Sequence, residues 1–185
     1  MKQLKHAHFS PYGSTVLVLC ACAALLGGCA TGASHEAMVP TSITAANKHP
    51  QSVSVQVTGG QDTDAVGKSQ ISNESFAQAL EQAITQSETF SRVIKGSGQD
   101  YRLSVVIAGL EQPSFGLSFT VKMEAGWTLK RADTGATVWQ EAIRSEHTAG
   151  AGDAFAGVVR LRMATEGAAR NNISQALSRI SQLKL

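Results

Sequence analysis

Phe115-Gly116-Leu117-Ser118-Phe119-Thr120-Val121-Lys122-Met123-Glu124-Ala125-Gly126-Trp127-Thr128-Leu129-Lys130 alternates without a break: every odd position is apolar, every even one glycine, hydroxylated or charged. Successive side chains of a strand point to opposite faces, so a period of two predicts one buried face and one wet face. A sheet of that kind favours antiparallel pairing. Sixteen residues at about 3.3 Å each run roughly 53 Å, whereas a domain of about 135 residues is some 37 Å across. The strand must therefore bend, with Gly116 and Gly126 as flex points, or leave the body at its Phe115 end. In the second case Phe115 and Leu117 become exposed, and Phe115, Leu117 and Phe119 form the candidate contact for a partner or a lipid.

Working outward, Asp133-Thr134-Gly135 supplies a turn, and Val138 to Thr148 returns as a hairpin partner carrying Trp139 and Ile143. Upstream, Tyr101 to Leu110 places Leu103, Val105 and Ile107 on one face and is ended by Pro113. Ser52 to Thr58 alternates through Val53, Val55 and Val57. A polar loop from Gly59 to Gln70 leads to a helix with Ser72 as N-cap and Ile71 stapled to Phe76. Its stripe is Phe76, Leu80, Ala83 and Ile84; it ends near Phe90, with a short extended piece at Arg92–Ile94. The last helix is expected from Asp153, its N-cap, to Leu183, with Phe155, Val159, Met163, Ala169, Ile173, Leu177 and Ile180 at helical spacing. Ala164, Gly167, Ala168 and Ala169 thin its middle. Glycine costs about 1 kcal/mol of helix propensity relative to alanine, which close packing on a sheet would offset; a bend at Gly167 is the alternative. The order β-α-β-β-β-α predicts a two-layer α+β fold, with an antiparallel sheet of about four strands and two helices on one face.

The first 28 residues read differently. Lys2 and Lys5 lie in an acid-free start, and Val16 to Leu26 is an unbroken apolar or weakly polar run. Eleven residues of helix span about 16 Å, half of a hydrocarbon core. A basic start and a short apolar segment ending on small residues make a secretory signal, not a membrane span. Leu26-Gly27-Gly28-Cys29 resembles the lipobox of bacterial lipoproteins. That resemblance implies a diacylglyceryl thioether on Cys29, cleavage before it and acylation, palmitate included, of its new amino group. Ala30, not Asp, after the cysteine implies sorting to the outer membrane, with the domain most simply on its periplasmic face. Several acyl chains hold a protein on a bilayer stably where one does not.

Cysteine and charge counts then change. Cys20, Cys22 and Cys29 are the three cysteines; with Cys29 lipidated, the mature domain has no thiol for a disulfide, a nucleophile or a metal. Lys2 and Lys5 leave with the leader, and all 14 acidic residues follow it, so the mature net charge is about zero. No basic block supports nucleic-acid binding. Arg160, Arg162 and Arg170, with Glu166 among them, read as a solvated helix face. From Ala30 to about Gln51 the chain is small, polar and aperiodic, with Pro40 and Pro50, and reads as a flexible tether. The domains are therefore a signal peptide (1–28), lipidated Cys29 with its tether (29–51) and one periplasmic α+β domain (52–185). In leader, size and element order the chain resembles small Gram-negative envelope lipoproteins of the YajG and LptE-like kinds.

One motif points elsewhere. Gly150-Ala151-Gly152-Asp153-Ala154-Phe155 resembles the signature of ribokinase-type sugar kinases, which would make Asp153 a base and the amides of Ala151 to Asp153 an anion hole. Those kinases need about twice this length and a nucleotide-binding α/β domain, and the acidic residue they carry upstream falls near His147. A glycine turn feeding a helix is the plainer reading. Nothing sets His147, Asp153 and a serine in triad geometry, His35 and His49 lack metal-ligand spacing, and Trp127 and Trp139 read as core or cross-strand aromatics. The expectation is a non-enzymatic outer-membrane lipoprotein, without cofactor or metal, that binds an envelope protein partner or stabilises an assembly. The alternative is a carrier or sensor of a lipid-like ligand; an enzyme ranks last.

Overall fold

The computed structural model describes residues 31–43, 45–64 and 67–185. The leader and Cys29 lie outside the described residues. The elements in chain order are α1 (His35–Met38), β1 (His49–Thr58), α2 (Asn73–Ser87), β2 (Phe90–Val93), β3 (Tyr101–Glu111), β4 (Phe119–Arg131), β5 (Thr137–Ala149) and α3 (Gly157–Ile180).

The fold is two-layer α+β. The sheet, however, has five strands in the order β2-β1-β3-β4-β5 and is mixed, not four and antiparallel. β3, β4 and β5 form the antiparallel meander that alternation predicts. β1 instead runs parallel to both of its neighbours. The reason is connectivity: α2 returns the chain to the start of the sheet, so β2 must set out in the direction of β1. β2 then stops level with Val53, where β3 begins on the other side of β1. Residues 94–100 take the chain from one side of β1 to the other, with Gly96 and Gly98 at positive φ. Asp100 pins this crossing: its carboxylate accepts from the Ser52 amide and the Ser52 hydroxyl, each at 2.7 Å.

Odd residues of β3 and β4 point into the core. Near the end of β3 a bulge at Ala108 (Ile107 faces Ala125, Gly109 faces Glu124) switches the parity, so Leu110 faces Met123 and packs against the core. α2 covers the β1–β2 half of the buried face and α3 the β4–β5 half. α2 begins as expected: Ser72 caps it by accepting from the Ser75 amide at 3.1 Å, and Phe76, Leu80, Ala83 and Ile84 are fully buried.

α3 runs unbroken through Gly167, without the alternative bend. A Cβ on Gly167 would sit 2.1 Å from Cδ2 and 2.3 Å from Cγ of His147, so the imidazole ring occupies the space a side chain would take. Ala164, Ala168 and Ala169 are buried around it. One turn on, the fully buried Asn172 accepts from Trp127 Nε1 at 2.9 Å and donates to the Ile143 carbonyl at 2.9 Å and to Ser145 Oγ at 3.0 Å. Ser145 Oγ in turn donates to the Ala168 carbonyl. The helix start differs from expectation. Asp153 does not cap α3; its carboxylate accepts from the Gly150 amide at 2.7 Å, closing a turn of its own, and the helix begins four residues later behind Ala156.

The expected tether over 29–51 is also corrected. Ala33, Met38 and Val39 are buried, and α1 packs between α3 and α2. Arg162 Nη1 donates to Thr31 Oγ1 at 2.8 Å, Glu166 Oε1 accepts from the Ser34 amide at 3.0 Å, and Arg170 Nη1 donates to the Ala37 carbonyl at 3.0 Å. Farther along, Ala46 and Asn47 donate to Ser181. Residues 31–47 are therefore a strap along α3, from Arg162 to Ser181, leading directly into β1 at His49. Arg162, Glu166 and Arg170 are its fastenings, not a solvated face.

Two outcomes follow. Gly167→Ala should destabilise the domain by about 1–3 kcal/mol through overpacking, and His147→Ala in the same chain should recover most of that loss; thermal denaturation of the four combinations measures both. The Asp100 carboxyl is held below the usual aspartate range, first by the Ser52 hydroxyl and then by the Ser52 amide. With the folded value below the unfolded one, its contribution is complete above about pH 4 and is lost as pH falls through the folded value. A carboxyl titration by NMR should place the Asp100 midpoint below those of unpaired aspartates, and Ser52→Ala, which removes the hydroxyl but keeps the amide, should raise it part of the way toward their range.

Candidate functional site

Three connections gather at one end of the sheet: residues 59–72 after β1, 112–118 between β3 and β4, and 150–156 between β5 and α3. The strap begins there as well, since the Ala33 amide donates to the Gln70 carbonyl and Thr31 meets Arg162. Gln112 ties the first two connections to α3, its side-chain nitrogen donating to the Ser69 carbonyl at 2.6 Å and to Thr165 Oγ1 at 3.0 Å.

The long alternating segment leaves the sheet at this end. β4 begins at Phe119, so the predicted sixteen-residue strand is shortened to 13, and residues 115–118 continue outside. Phe115 is 88% and Leu117 81% exposed, whereas Phe119 is buried. The third predicted contact residue is thus a core residue: its ring lies against Gly157 and under the Arg160 guanidinium, 5.6 Å from the ring centre. Pattern alone could not separate the three, because the first two keep the odd parity after pairing has stopped.

Sequence reading missed two members of this surface. Phe155, expected on the buried stripe of a helix from Asp153, is fully exposed, and Val158 is half-exposed. Arg160 explains the display of Phe155. The side chain is buried, and Nη1 donates to the carbonyls of Ala154 at 2.8 Å and Phe155 at 2.7 Å. This one cation folds the 150–156 loop back onto the helix start and stacks on Phe119. The signal that could have revealed it is an arginine on an otherwise apolar helix face, four residues from Ala156.

The residues with chemical potential do not converge. His147 lies on Gly167 and makes no hydrogen bond to Asp153 among the described residues. Gly150-Ala151-Gly152 forms a surface turn, not a helix N-terminus. Trp127 is buried against Phe76, ring centres 6.1 Å apart, and Trp139 is half-buried. His49 is buried and bonds the Ile180 carbonyl through Nε2 at 3.0 Å. No group of three or more His, Cys, Asp or Glu among the described residues could hold a metal ion. A broad groove is lined by Glu111, Lys122, Glu124, Arg144 and Glu146 of the sheet together with Asn171 and Gln175 of α3. Its charges answer one another across the strands, as where Arg144 meets Glu124 at 2.9 Å.

No protein-family model matches the sequence, and no curated protein matches it. Solved structures do share its fold. Protein XCC0632 from Xanthomonas campestris, of the DUF330 family, is similar with a TM-score of 0.55 at 13% identity, over 76% of this chain and 90% of that one. An uncharacterized lipoprotein B from Nitrosomonas europaea gives 0.54 at 15% identity, over 75% and 86%. The hypothetical protein CT253 from Chlamydia trachomatis gives 0.51 at 8% identity, over 71% and 98%. The chain thus has a fold found in bacterial lipoproteins. No helix among the described residues is long and apolar enough to cross a membrane.

Arg160→Ala should release the 150–156 loop. Hydrogen exchange at Phe155 and Ala156 should quicken, with a loss of about 1.5–3 kcal/mol in stability for the two charge-assisted hydrogen bonds; exchange at Asn172 should change only through that global loss.

Proposed function

We propose that this chain is an outer-membrane lipoprotein, anchored through acylated Cys29, whose domain acts in the cell envelope as a non-enzymatic binding or assembly module. The observation that carries this reading is Leu26-Gly27-Gly28-Cys29 at the end of a short apolar leader. The fold shared with a Nitrosomonas lipoprotein supports it. So does the use of His147, His49 and Asp153 in separate packing and turn-closing duties. Ala30 after the cysteine favours the outer membrane over the inner one, and a periplasmic protein partner is the expected ligand. The space between helices and sheet is filled by Trp127, Phe76, Leu80, Leu103, Met123 and Ile173, which speaks against a lipid carrier with its cargo in that layer.

Cys29→Ala should abolish palmitate labelling and leave the precursor unprocessed at its full 19.4 kDa. Normal labelling of that variant would overturn the anchor. Photocrosslinking from the domain surface in intact cells should recover one defined envelope protein; recovery of none, with an acylated domain, would overturn the binding-module reading.

A further inference from the structure

We propose, resting on the lipoprotein reading above, that the end of the domain carrying Phe115, Leu117, Phe155 and Val158 lies on the same bilayer that holds the Cys29 acyl chains and inserts these side chains into it. Six large apolar side chains are strongly exposed among the described residues; four are these, and the other two, Val106 and Val138, sit apart on strands. Three come from two loops that leave the body side by side, and Val158 follows in the first turn of α3. Phe119, which follows the first loop, pairs with Ala149, which precedes the second, and the Phe119 ring touches Gly157 at the second loop's end. Arg160 holds the backbone of Phe155 in place, so the display is built into the fold.

The anchor emerges at the same end. Arg162, bonded to Thr31, lies one turn beyond Val158 on the same face of α3, about 6 Å along the axis. The two residues from Thr31 back to Cys29 reach at most about 7 Å. The Cys29 acyl chains are therefore tethered two residues from Thr31, at the end of the domain that carries Val158, and so short a link gives the domain little slack to stand away. With the membrane this close, a protein partner on the patch would have to fit between domain and lipid. The end is charge-mixed, with Asp62, Asp64 and Lys68 on the neighbouring loop, so apolar insertion to about 5–10 Å below the headgroups, not charge, draws it down.

The mature chain's one cysteine is consumed by the anchor, so a single new cysteine takes a label uniquely. The processed, acylated protein with Ser114→Cys, Ala156→Cys or Ala136→Cys is labelled with a polarity-sensitive fluorophore. It is then reconstituted into phosphatidylethanolamine–phosphatidylglycerol vesicles containing nitroxide lipid. Labels at 114 and 156 should be blue-shifted and quenched; the label at 136, in the turn at the opposite end, should not. In the Phe115→Ser, Leu117→Ser, Phe155→Ser, Val158→Ser background the quenching at 114 and 156 should be lost while the melting temperature holds, since all four side chains are exposed. Quenching at 114 and 156 no greater than at 136, or unchanged in the fourfold variant, overturns the proposal. Mass analysis of Cys29 in the same sample separates the two readings. An acylated residue without quenching overturns membrane apposition alone, and an unmodified thiol overturns the lipoprotein reading together with it.

Discussion

The close approach of α3 to the sheet is the constraint on which the rest of the structure depends. A helix of ordinary girth would hold the layers near 10 Å apart. Here Gly167 lets the His147 ring lie where a side chain would stand, with Ala164, Ala168 and Ala169 buried beside it. That closeness brings Asn172 within reach of both Trp127 on β4 and the backbone of β5. The indole N–H, which would otherwise be buried without an acceptor at a cost of about 1–3 kcal/mol, is satisfied only because the helix is this near. Register between helix and sheet is thus fixed by one polar network inside an apolar layer.

The outer side of the same helix has a second duty. Arg162, Glu166 and Arg170 recur at four-residue intervals and form one row along it. The row supplies a donor to Thr31, an acceptor to Ser34 and a donor to Ala37. A segment whose regular structure is the single short helix α1 receives further partners from α3 side chains, and buries Met38 in exchange for the entropy of ordering it. The strap thereby fixes where the chain arrives. Combined with Arg160, which arranges the helix start, α3 determines both the end of the domain at which Thr31 is held and the apolar Phe155 and Val158 displayed there.

Two kinds of information are separate in this chain. The leader reads as a compartment signal through simple physical criteria: length of apolar run, sign of charge and one cysteine. On the proposal above, the domain adds an orientation toward that compartment's membrane. Several groups capable of chemistry serve packing instead: His147 as a flat filler over a glycine, His49 as a donor to a helix carbonyl, Asp153 as a turn closure.

By itself the sequence determined the α+β class, the β3–β4–β5 meander, the Ser72 cap and buried stripe of α2 and the thin middle of α3. Each of these is a local periodicity or a cap, written in residues a few positions apart. Only the tertiary structure decided that β1 lies parallel between β2 and β3, since strand direction is set by the return path through α2 and leaves no mark in β1's own alternation. It also decided that α3 begins at Gly157, because the partner that folds back the preceding loop is Arg160, reading two carbonyls that look the same in any sequence. The strap was illegible for a like reason: its hydrogen bonds join residues more than 130 positions apart, and Ala33, Met38 and Val39 follow no period that would announce burial. Phe115 and Leu117 were visible as candidates, but Phe155 and, in the first turn of α3, Val158 joined them only when two segments distant in the chain were brought together by the pairing of Phe119 with Ala149.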